Sequence, residues 1–315
     1  MFNIEFYLFE QYPEVLAVYI FILGLCIGSF LNVVILRGLA EEEIVKTPSK
    51  CPKCGHKLNW YNNIPVLSYV FLLGKCQFCK AKISPQYPIV ELITGLMFFA
   101  IYWQFGLSFK TLFGVIFASL AIVMSVCDLK EKVIIDWHGY LLIIFGLIYS
   151  FLNDVGILWS ILGAIVGFVV FELISRIGYL FSESRLFGDG DSIIFAGLGA
   201  YFGLLALPKM FVIAVLAQTL ITIPLFIFNK LKNKDYKGFA LYSTLAILLI
   251  AYGILYKFNI YSKSYALLAL SPILIGLLVC AFLILRSVKN KKAEDLTFLP
   301  FGPALVVSGL IMLFL

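Results

Sequence analysis

The chain has 315 residues, of which 62% are hydrophobic and only 13% charged, with a net charge of +6 and a mean hydropathy of +1.00. A soluble domain carries about 25% charged residues, and no single core would hide this much apolar surface from water. An ordinary soluble enzyme is therefore excluded, and the expected solvent is largely lipid.

Runs of roughly 20 apolar residues, enough to cross a bilayer, recur along the chain. Hydropathy predicts ten spans, at Val15–Leu36, Ile89–Trp103, Leu112–Cys127, Trp137–Leu152, Ile157–Leu180, Ser192–Leu207, Met210–Phe228, Phe239–Tyr256, Tyr265–Leu285 and Ala304–Leu315. The first is too long for a signal-peptide core and no small-residue cleavage site follows it, so it is expected to be retained. The expectation is an all-α polytopic membrane protein of about ten helices. Its parts would be a first span (1–36), a loop (37–88), a membrane core (89–228), an added pair of spans with basic loops (229–297) and a C-terminal span (298–315).

Loops 37–88, 128–136, 176–191, 229–238 and 286–303 hold eight, two, two, four and four of the 24 Lys and Arg residues. Cytoplasmic loops are the Lys/Arg-rich ones. The N-terminus is thus expected outside and the 37–88 loop in the cytoplasm. Topology accounts for the positive charge, so no nucleic-acid partner is expected.

The 37–88 loop contains Cys51-Pro52-Lys53-Cys54-Gly55 and Cys76-Gln77-Phe78-Cys79. Two CxxC knuckles about twenty residues apart have the spacing of structural zinc sites. Four thiolates close a tetrahedron and leave no open position for catalysis. Cys51, Cys54, Cys76 and Cys79 are therefore expected to staple a small zinc-binding subdomain. Two disulfides or free thiols are the alternatives, and a reducing compartment disfavours the former. His56 is read as a solvated neighbour, while Cys26, Cys127 and Cys280 read as small buried hydrophobes.

Asp128 ends the third span and Asp136 precedes the fourth; Gly188-Asp189-Gly190-Asp191 precedes the sixth. Each acid has a structural reading as a helix cap, which accepts orphan N–H bonds at the favourable end of the dipole. The functional reading pairs Asp128 with Asp191. Two carboxyls held together do not both ionise readily, so one keeps its proton. The pair then offers a base to activate water and an acid to protonate a carbonyl or leaving amine. Gly188 and Gly190 remove side chains where backbone or substrate approaches. The chain has no HExxH or GxSxG motif, and its only histidines are His56 and His138.

The ordered motifs resemble those of the type IV prepilin peptidases, GxGD-type aspartyl proteases that also N-methylate their product. They are Gly28-Ser29-Phe30-Leu31-Asn32-Val33-Val34, the two knuckles, Asn63-Ile64-Pro65-Val66-Leu67-Ser68-Tyr69, Tyr87-Pro88-Ile89-Val90-Glu91, the Asp128 and GxGD segments, and Pro300-Phe301-Gly302-Pro303. The resemblance implies catalytic Asp128 and Asp191, with Asp136, Asp189, Gly188 and Gly190 in support. It implies a bacterial inner-membrane enzyme that cuts a prepilin or pseudopilin after a short basic leader on the cytoplasmic side. S-adenosylmethionine would then methylate the new N-terminus. The methyl-donor site has no sequence signature here, and Glu91 is its candidate contact. Ile135, Ile193 and Gln86 depart from the Pro, Lys and Arg common in the family, and Arg37 is followed by Gly38-Leu39 in place of Leu-Pro. Residues 229–297 look like an insertion. The rival reading is a polytopic transporter with functional acids at one face.

Overall fold

The computed structural model describes residues 13–43, 48–153, 155–182, 188–232 and 301–315. These are helical, with two isolated β-bridges. The helices are α1 (Pro13–Leu39), α2 (Leu67–Phe71), α3 (Gln86–Phe105), α4 (Phe109–Glu131), α5 (Asp136–Ser150), α6 (Ile157–Ser182), α7 (Asp189–Phe202), α8 (Leu207–Lys232) and α9 (Gly302–Phe314). In lipid a spanning segment must satisfy its own backbone, which is why the apolar runs are helices.

Four described helices (α1, α3, α4 and α6) are long and apolar enough to cross a membrane. A fifth span arises if α7 and the segment Leu204–Leu220, bent by 118°, are counted together. The ten-span expectation is thus met in part. The runs Phe239–Tyr256 and Tyr265–Leu285 lie outside the described residues. The sixth and seventh predicted spans are joined through the sharp break at Gly203, whose φ is +77°. With 14 residues, α7 is about 21 Å long against a hydrocarbon core of about 30 Å. Similarly, α5 has 15 residues and α9 has 13.

The chain divides into two compact units, one of Met1–Ile174, Phe187–Phe211 and Pro300–Leu315, the other of Ser175–Leu186 and Val212–Leu299. In the second, the described residues 175–182 and 212–232 are helical. Asp128, Asp191, Gly302 and the four cysteines of the 37–88 loop all belong to the first.

Helices α1 and α3 pack along a seam of small residues. A Cβ at Gly24 would come within 2.8 Å of the Gly95 Cα, and one at Gly28 within 2.7 Å of the Glu91 Cα. This is the close backbone approach that GxxxG spacing permits in lipid. One turn further, the buried Asn32 amide donates to the carbonyls of Gly28 (3.3 Å) and Tyr87 (3.1 Å). Cys127 is buried, whereas Cys26 is exposed on α1, against expectation.

One apolar cluster joins Leu31, Val34 and Ile35 of α1, Val90 of α3 and Ile122, Val123 and Cys127 of α4, with Leu39 and Ile135 packed against it. The C-terminal ends of α1 and α4 and the start of α3 therefore share one face. From it emerge both the cysteine loop and the α4–α5 turn.

Candidate active site

Asp128 lies in the last turn of α4. That helix ends in a left-handed Lys132, whose N–H closes on the Asp128 carbonyl at 2.9 Å. The Asp128 side chain is buried at 5% exposure. Its Oδ2 accepts the backbone N–H of Gly302, at the start of α9, at 3.0 Å. A Cβ on Gly302 would collide with that carboxylate and lie 3.4 Å from a methyl of Ile194 on α7.

Asp191 is the third residue of α7 and equally buried. Its Oδ2 accepts the Gly188 N–H at 3.1 Å, and its own N–H donates to the Gly188 carbonyl at 3.2 Å. This carboxylate-to-N-cap bond is half of a capping box. The cap reading of Asp191 is therefore correct for one oxygen. The other, Oδ1, is buried without a hydrogen-bond partner among the described residues, and the Asp128 charge acts on the Asp191 carboxyl.

Asp136 and Asp189 are exposed, unlike the buried pair. Asp136 opens α5 and lines a cleft of about 850 Å³ together with Leu36, Ala40, Glu41, Lys130 and Ile134. Ile134 also lies over Gly190, where a Cβ would strike its side chain. Gly190 thus lets the α4–α5 turn close over the start of α7, next to Asp191. Gly188 has no such need: its φ is −70° and a Cβ there would meet only Asp191 Oδ2, at 3.8 Å.

The four cysteine sulfurs lie within 4.8 Å of one another, with Cys51 and Cys79 at 3.9 Å. Tetrahedral zinc with Zn–S of about 2.3 Å sets sulfurs about 3.8 Å apart, so the cluster fits a metal. The knuckles are built alike. Lys50 bridges Lys57 and Lys75 bridges Lys82; Cys51 N–H donates to the His56 carbonyl at 2.9 Å and Cys76 N–H to that of Ala81 at 2.8 Å. The left-handed turn falls on Gly55 in one and on Lys80 in the other. A hydrogen bond from the Cys54 backbone brings the Cys51 thiol down to about 7, whereas, against a hydrogen bond from the His56 backbone, burial and the adjoining Cys51 and Cys79 sulfurs push that of Cys54 up to about 11; the sulfur geometry, not these shifts, carries the metal reading. His56 stacks on Phe78 at 3.6 Å between ring centroids.

Glu91 is buried at 6% exposure, and its Oε2 accepts the Val66 N–H at 2.7 Å. It ties the cysteine loop to the α1–α3 seam. Sequence reasoning flagged Pro300–Pro303 as a motif but missed that Gly302 holds Asp128, and it missed Ile134. Only the family resemblance of that motif pointed to the first; nothing local pointed to the second.

These features define a multi-pass membrane protein with two buried carboxyls and, in a loop of its own, a metal-type thiol cluster. Residues 22–105 match the Bacterial Peptidase A24 N-terminal domain, and residues 115–223 match the Type IV leader peptidase family. The chain belongs to the type IV leader peptidase family. It is 38% identical to a prepilin leader peptidase/N-methyltransferase of Myxococcus xanthus, over 59% of this chain and 56% of that protein. Proteins of the same name from Neisseria gonorrhoeae (34%, over 62% of this chain and 77% of the relative) and Klebsiella pneumoniae (32%, 65% and 92%) are also similar. No solved structure matches the chain. The transporter reading finds no support in these matches. Residues 229–297 lie outside both matched ranges.

Proposed function

We propose that this protein is an intramembrane aspartyl endopeptidase that removes the leader of type IV prepilins or pseudopilins, with Asp128 and Asp191 as its catalytic pair. The observation that carries the reading is the burial of two interacting carboxyls on separate helices, each held through Oδ2 by one glycine N–H. One carboxylate takes a proton from water as its oxygen attacks the scissile carbonyl carbon, and the other acid protonates the carbonyl oxygen. Collapse of the tetrahedral intermediate breaks the C–N bond, and the amine leaves with a proton from the pair. Asp136, Asp189, Gly188 and Gly190 support the site. The cleft behind Ile134 is an open approach for an extended peptide.

S-adenosylmethionine, when bound, would supply the methyl group that the new N-terminal amine receives. Glu91, at the foot of the cysteine loop, is the candidate contact toward that donor. Cys51, Cys54, Cys76 and Cys79 hold structural zinc. The N-terminus is outside the inner membrane, and the loop and cut are cytoplasmic.

The test is leader cleavage of a purified prepilin by reconstituted enzyme. Asp128→Asn and Asp191→Asn should each abolish cleavage while membrane insertion is unchanged. Cleavage at the wild-type rate by either variant overturns the assignment. Mass spectrometry of the product with S-adenosylmethionine checks the second step, and an unmethylated amine removes it.

A further inference from the structure

The segment between the knuckles carries an apolar face that the enzyme chemistry does not use. In α2, Leu67, Val70 and Phe71 stand at i, i+3 and i+4, one face of a helix. Phe71 is 82% exposed, and Leu73 just beyond it is also 82% exposed. Trp60, in the 3₁₀ turn Trp60–Asn63 packed against α2, is 79% exposed. A contiguous exposed patch of this kind marks an interaction site.

Two observations name the occupant. The first is depth. Val66, which opens α2, is bonded to Glu91, and the Glu91 Cα lies against Gly28 of α1. From Gly28, α1 stays helical to Leu39, about 16 Å further along its axis. So α2 starts beside the embedded bundle, well below the end of α1. The second is charge. Between Glu43 and Glu91 the sequence has seven lysines and no Asp or Glu. Lys50, Lys53, Lys57, Lys75, Lys80 and Lys82 are all exposed around the knuckles.

We propose that α2, Trp60 and Leu73 lie in the headgroup–acyl boundary of the leaflet on the loop's own side, with the knuckle lysines on anionic phospholipid headgroups. An amphipathic segment with Trp, Phe and Leu on one side and lysines around it is the pattern of an interfacial anchor, and each lysine near an anionic surface adds attraction. The cysteine cluster then serves as a rigid foot on the bilayer. This surface is independent of the acid pair.

The experiment uses the full chain in nanodiscs of phosphatidylcholine with increasing phosphatidylglycerol. The contribution of Trp60, taken as the emission difference between wild type and Trp60→Phe, is measured with lipids brominated high on the acyl chain. Strong quenching is expected, together with protection from aqueous acrylamide. Replacing Lys57, Lys75 and Lys82 by Gln should move the onset of quenching to higher phosphatidylglycerol, since each lysine near an anionic surface contributes about fivefold to the association equilibrium. Phe71→Ser, at a side chain 82% exposed, should reduce quenching with metal content unchanged. Acrylamide access without bromolipid quenching at every composition overturns the proposal. So does protection that appears only when prepilin is added, which would assign the face to a protein substrate. Quenching unaffected by the lysine changes removes the anionic-headgroup half.

Discussion

The backbone N–H of Gly302 donates to Oδ2 of Asp128 at 3.0 Å, and the glycine leaves no room for a Cβ beside that carboxylate. The start of α9 therefore sets where one of the two acids points. Gly302→Ala must push the carboxylate aside. A misplacement of about 1 Å can cost about 10²-fold in rate, so kcat for leader cleavage should fall by about that factor with KM little changed. Steady-state kinetics on reconstituted enzyme, with a protease-protection check on insertion, reads it.

The two glycines of the GxGD segment should behave differently. Gly190→Ala drives a methyl into Ile134 and should impair cleavage; Ile134→Ala should restore part of it. A double-mutant cycle measures that coupling. Gly188→Ala meets only open space and one distant oxygen. Its expected cost is at most about 1 kcal/mol of helix-start stability, with activity within a few-fold of wild type.

Metal analysis of reduced protein should find about one zinc per chain, as a closed four-thiolate site requires. Chelation, or Cys51→Ser, should expose residues 48–85 to protease and to amide exchange while the spans stay folded. Clearly substoichiometric zinc argues against the site.

Glu91→Ala should release the Val66 amide. A hydrogen bond to a charged acceptor contributes about 1.5–3 kcal/mol, so protection of that amide against exchange should fall by at least tenfold. Glu91→Gln keeps an acceptor and should fall between.

Much of this was legible beforehand, for physical reasons. Apolar run length carries span position, so α1, α3 and α4 fall within a few residues of expectation. CxxC spacing carries ligand geometry because each knuckle is a local turn. The break at Gly203 was not legible, since a hydropathy window reads composition and not direction. Nor was the division of the Asp191 carboxyl legible, with one oxygen capping the helix and the other buried without a partner among the described residues, because the two readings of that acid call for the same residue at the same place. The Gly302–Asp128 bond joins positions 174 residues apart, and no local pattern predicts which backbone N–H meets which acid across a bundle. Ile134 over Gly190 escaped for the same reason: it is set by how the α4–α5 turn packs.

That long separation also bears on timing. A ribosome adding about 5–20 residues per second delivers both acids well before Gly302, which follows Asp128 after roughly ten to thirty seconds. During that interval the emerging polypeptide carries both carboxyls, but Asp128 lacks the donor that orients it. The surroundings of this buried carboxyl are thus completed only near the end of synthesis.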